Sequence, residues 1–198
     1  MKPERTIFVG FRFYLLFSLL ILSLFPVHEF GHYLAYRLLG VHLQMTLNTA
    51  SPEDQSLRKP VPELAGPVVN LIIAAGAWFA YQSPAQKRTW LAALALASAM
   101  FRLVIYFVVL LVAIFTGSGL SMGNDEPIAA RLWGIPSFTF VGIFAVPFVL
   151  IVWDIVRRFR ASRFQTVLHL FGLGLVTLCL GILIGRVIDP WLFPTRYQ

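Results

Sequence analysis

Two histidines and an acid inside an otherwise apolar run carry the most specific chemistry in this chain, as His28-Glu29-Phe30-Gly31-His32. Residues four apart on a helix are offset by one turn and about 40°, so both imidazoles reach one cation. A carboxylate one residue after the first histidine is angled toward a water on that cation, as a general base must be. Ionisable groups within an apolar span are expensive and usually functional. The competing reading is a polar helix–helix contact with no metal.

A second cluster, Ala65-Gly66-Pro67-Val68-Val69-Asn70, lies in the next apolar run. Gly and Pro allow close backbone approach and leave carbonyls unpaired, and Asn70 adds a buried amide. Taken alone, it is a packing notch with a satisfied Asn. Together, HEFGH in an early span and ELAGPVVN opening the next resemble the site-2 protease family of zinc intramembrane metallopeptidases. The resemblance covers residues 18–80. It implies a three-helix metalloprotease core, Zn2+ held by two histidines and one carboxylate, and peptide-bond hydrolysis within the membrane. Carried over, His28 and His32 are metal ligands, Glu29 is the catalytic base, and Gly66, Pro67 and Asn70 line or shape the site.

The third ligand departs from the family pattern, which takes an Asp from an Asn-Pro…Leu-Asp-Gly motif. No Leu-Asp-Gly occurs here, and the downstream acids are Asp125, Glu126, Asp154 and Asp189. Asp154 adjoins Arg157 and Arg158 at a span end and has the look of a boundary charge. Asp189 is near the C-terminus, next to Pro190. That leaves Gly123-Asn124-Asp125-Glu126, where a Gly-rich turn folds a helix start back into the bundle, with simple capping as the competing role. The short side chain of Asp125 makes it the expected ligand, with Glu126 as the alternative. Arg102, a cation inside a span, must pair, and an acid of this cluster is its expected partner. His42 and His169 have no partner at helical spacing and are expected to be interfacial or packing residues.

The elements that must position these groups follow from composition. Of 198 residues, 58% are hydrophobic, 15% aromatic and only 13% charged, and mean hydropathy is +0.77. This excludes disorder and a soluble globule, and predicts an all-α polytopic membrane protein. Five spans of about 20 apolar residues are expected at 13–39, 64–81, 90–115, 138–156 and 167–188, in a single domain. Gly172, Gly174, Gly181 and Gly185 in the last predict close helix packing. The alternation in 41–50, VHLQMTLNTA, has the period of a strand that could pair with an unwound substrate. The net charge of +7 shows no basic stripe with exposed aromatics, so anionic lipid and topology explain it better than nucleic acid. The lone Cys179 excludes a Cys-based metal site.

Five spans put the termini on opposite sides. Nine Lys and Arg lie on the N-terminal side, six on the other, and Arg102 within. That count favours a cytoplasmic N-terminus and a site opening outward, whereas the resemblance implies the reverse. The expected setting is a prokaryotic plasma (inner) membrane, with the bilayer and a membrane-protein or membrane-peptide substrate as partners. The alternatives are a non-proteolytic metal-binding membrane protein and a small transporter or scaffold whose polar cluster lines a path.

Overall fold

A chain this apolar crosses lipid only where every backbone N–H and C=O is bonded within its own segment, and α-helices meet that condition. The computed structural model describes residues 10–52, 54–83, 89–117, 124–158 and 163–193. It is an all-α polytopic membrane protein. Five helices are long and apolar enough to cross a bilayer: α1 (Phe11–Leu38), α2 (Pro60–Gln82), α3 (Thr89–Thr116), α5 (Thr139–Val156) and α6 (Arg163–Leu192). A short helix, α4 (Asp125–Leu132), stands between α3 and α5. Most of the Gly-rich turn before α4 lies outside the described residues, as do Lys2, Arg5, Lys87, Arg88, Arg160 and Arg196.

Helix α2 starts at Pro60, four residues before the expected span. Proline is tolerated in a first turn, whose N–H groups have no intrahelical partner, so Pro60 and Pro62 extend the helix rather than end it. Helix α1 closes with Gly40 at φ +76° and a bond from Val41 N–H to Tyr36 O of 3.0 Å. That left-handed turn satisfies a terminal carbonyl and suits a residue without Cβ.

The central helix is α3, which packs on α1, α2, α5 and α6. Its first half, TWLAALALASAM, buries Ala92, Ala93, Ala95, Ala97 and Ala99 completely. Small side chains let neighbouring backbones approach, which is how helices associate where lipid gives no hydrophobic drive. The glycines of α6 act similarly, with one exception. Gly174 meets Val104 and Ile21, Gly181 meets Phe25 and Gly185 meets Asn48, whereas Gly172 faces open space.

The 41–50 stretch is not a strand. Its alternation ends in a reversal, with a single bridge between Met45 and Ala50 and a 2.8 Å bond from Thr46 N–H to Thr49 O. The tip is fixed to α6, where Leu47 N–H donates to Asp189 Oδ1 at 2.9 Å and Asn48 Nδ2 to Gly181 O at 3.3 Å. Asn48 fits only because Gly185 has no Cβ, which would overlap the amide. Asp189 is therefore a buried anchor, and the Leu47 N–H and the Asn48 amide serve this docking rather than a sheet edge.

Candidate metal centre

Helix α1 buries one stripe at helical spacing: Ile21, Leu24, Phe25, His28, Gly31, His32 and Tyr36. This stripe faces α2 at its two motif glycines. A Cβ on Gly31 would lie 3.0 Å from the Ala65 carbonyl oxygen, and one on Gly66 would lie 2.5 Å from His28 Cε1 and nearer still to His32 Nε2. The two sequence motifs thus press against each other, and Gly66 leaves the space in which the imidazoles sit. Gly66→Ala should displace both rings and abolish zinc binding by the protein, while the helices still form. Zinc content of the purified variant, with far-ultraviolet circular dichroism as the folding control, checks this; full zinc in the variant would contradict it.

Three donor atoms converge there. His28 Nε2 lies 3.0 Å from Asp125 Oδ2, His32 Nε2 lies 3.5 Å from the same oxygen, and the two nitrogens are 3.1 Å apart. For bonds of about 2.0–2.1 Å to zinc, the ligand–ligand edge of a tetrahedron is about 3.3–3.4 Å, and the three separations lie within about 0.4 Å of that edge. Two imidazoles and one carboxylate are also the donor chemistry of a catalytic zinc site with an open fourth position. His28, His32 and Asp125 form the described His/Cys/Asp/Glu group placed to hold a metal ion.

The far side of each ring is also engaged. His32 Nδ1 donates to the Pro62 carbonyl at 2.7 Å, which leaves Nε2 of the neutral ring as a lone pair. His28 Nδ1 meets the side-chain amide of Asn70 at 3.3 Å. The atom facing it is Asn70 Nδ2; exchanging the two ends of that amide lets Nδ1 donate to the oxygen, and Nε2 then keeps its lone pair. Ser98 donates to the Asn70 backbone carbonyl at 2.8 Å and so ties α3 to this point of α2. Three electron-rich atoms this close need positive charge on or between them. Burial would raise the Asp125 carboxyl, yet the adjoining His32 and His28 side chains hold it well below the usual carboxylate range.

Asp125 and Glu126 begin α4 but do different things. Asn124 makes no side-chain capping bond, and neither acid is spent on the helix start. Glu126 is fully buried and accepts two 2.5 Å bonds from Arg102 Nη2 and one of 2.5 Å from the Tyr106 hydroxyl. Arg102 Nη1 approaches Asp125 Oδ2 at 3.5 Å and His28 Nε2 at 3.4 Å. Arg102 therefore pairs chiefly with Glu126, the alternative ligand, and its other terminal nitrogen approaches two of the three donor atoms themselves. Such a buried pair is strong only while both partners remain, so it seats α4 with Asp125 aimed at the histidines. Tyr106, one turn after Arg102, carried a legible signal in that spacing.

Glu29 lies beside this cluster. It shares a cavity of about 150 Å³ with His32, Asp125, Glu63, Arg58 and the 48–51 stretch, and its carboxylate faces the backbone N–H of Ala50. Glu63 and Arg58 were not read from the sequence. Glu63 accepts from the Tyr36 hydroxyl at 2.5 Å, and Tyr36 continues the four-residue rhythm of His28 and His32. The remaining candidates stay outside the cluster. Asp154 is a boundary charge, taking bonds from Trp78, Gln82 and Arg158 and pairing with Arg157. His42 meets Arg37 at the surface, and His169 is exposed.

No family model, no curated protein and no solved structure matches the chain.

Proposed function

We propose that this protein is a zinc-dependent intramembrane metallopeptidase that hydrolyses peptide bonds of membrane-embedded substrates. One observation carries the reading: three lone-pair donors form a tetrahedral face beside a small polar cavity that also holds Glu29. The likeness of HEFGH and ELAGPVVN to the site-2 proteases supports it. On this reading the membrane is a prokaryotic plasma (inner) membrane.

His28, His32 and Asp125 would hold the ion. A bound zinc supplies Lewis acidity, lowering the pKa of water and polarising a carbonyl. The chain's own residues do the rest. Glu29 takes a proton from the attacking water and returns it to the leaving amine, so the peptide bond is exchanged for a carboxylate and an amine. Asn70 and the Pro62 carbonyl fix the rings, and the Arg102–Glu126 pair fixes the third ligand. A helical substrate must unwind to enter, because its peptide bonds are shielded by its own side chains and the cavity is small.

Purified protein in proteoliposomes with an apolar helical peptide tests this. Cleavage should stop on chelation and return with Zn2+ but not with Mg2+. Cleavage indifferent to chelation would overturn the reading. Zinc retained with no cleavage of any membrane peptide would favour a metal-binding protein without peptidase activity, and no zinc at all a transporter or scaffold.

A further inference from the structure

Among the described side chains lining the cavity, three are acids, Glu29, Glu63 and Asp125, and one is a permanent cation, Arg58. Arg58 lies in the polar stretch just before Pro60 opens α2. Its Nε is buried and has no hydrogen-bond partner. The nearest acid does not supply one: Arg58 Nε is 3.9 Å from Glu63 Oε1, beyond hydrogen-bond range, and that oxygen already accepts from Tyr36 at 2.5 Å. Glu63 therefore attracts the guanidinium without satisfying it. A buried donor left without an acceptor costs about 1–3 kcal/mol, and because Arg58 lines the cavity, a ligand entering there meets this incompletely paired guanidinium.

The chemistry of that acceptor follows from the guanidinium. Its planar fork matches a carboxylate better than any neutral acceptor, and such pairs are charge-assisted. Net charge does not oppose the arrival: two charges from a zinc ion and one from Arg58 balance the three acids. We propose that Arg58 is a specificity-determining residue, binding a substrate carboxylate beside the scissile bond. This rests on the peptidase reading for the word substrate, but the binding does not require turnover. The carboxylate has two sources, a free peptide C-terminus or an acidic side chain, and the measurement separates them.

The test uses zinc-loaded Glu29→Gln protein in lipid nanodiscs and three dansylated Ala/Leu hexapeptides. One has a free C-terminal carboxylate, one a C-terminal amide, and one an amide with an internal glutamate. Fluorescence anisotropy should show at least one carboxylate peptide binding about 10- to 100-fold tighter than the plain amide, the range of a charge-assisted bond. Tight binding of the first alone assigns a C-terminus, of the third alone an acidic side chain. Arg58→Gln should abolish the preference while zinc content stays unchanged. If that variant fails to insert, Arg58→Lys carries the test, losing several-fold of the preference with the fork. Equal binding of all three peptides, or no binding of any, overturns the proposal. So does a preference that survives both substitutions, since the carboxylate would then be held by the metal alone. Cleavage of the amide by Glu29-intact protein is scored separately, so failure of the peptidase reading is distinguishable from failure at Arg58.

Discussion

Glu29→Gln should abolish peptide hydrolysis, by about 10²- to 10⁴-fold or more, and should leave zinc bound at the wild-type level. The magnitude is that of a lost general base. Gln has the shape of Glu and can still face the Ala50 N–H, so the cavity wall is preserved while the proton acceptor is gone. Zinc stays because the donor set is His28, His32 and Asp125, with Glu29 beside it. Single-turnover cleavage in proteoliposomes and elemental analysis of the same preparation check both halves. A Gln variant with most of its activity would refute the mechanism, and one that loses zinc would make Glu29 a ligand.

The second large effect separates neighbouring acids. Asp125→Ala removes a donor atom and should weaken zinc binding by more than the roughly 10- to 100-fold that losing a supporting partner costs. Glu126→Gln should fall within that smaller range. It leaves all three donors in place but takes the charge from the Arg102 pair that seats α4. Asp154→Ala should not change zinc affinity, since its partners Trp78, Gln82 and Arg158 are all apart from the donor set. Competition with a chromogenic zinc chelator measures all three. If Glu126→Gln costs more zinc affinity than Asp125→Ala, the third ligand moves by one residue.

These contrasts show what the chain discloses about itself. The five spans are legible because lipid demands about 20 apolar residues in a row, and the two motifs because spacing on one helix sets which side chains meet. Gly31 and Gly66 fall where the motifs cross, so that encounter was implicit in HEFGH and AGPVVN. Asp125 was reachable only by elimination. It comes from a separate short helix, 97 residues from His28, and no periodicity links the two. Arg58 and Glu63 were missed because they sit at the polar entry to α2, where charges are unremarkable until the fold closes a cavity over them. The 41–50 alternation misled for a similar reason. Its tip answers to α6 more than 130 residues away, the Leu47 N–H to Asp189 and the Asn48 amide to Gly181, and a period of two cannot tell a sheet edge from a docked turn.

Elemental analysis of the purified chain beside its His28→Ala and His32→Ala variants decides whether these donors hold a metal. Close to one zinc per wild-type chain is expected, and less than about a tenth of that in either variant, because two remaining donors hold zinc poorly. A wild-type chain purified without zinc that also fails to take up one equivalent, or variants that keep it in full, would contradict the metal centre described above.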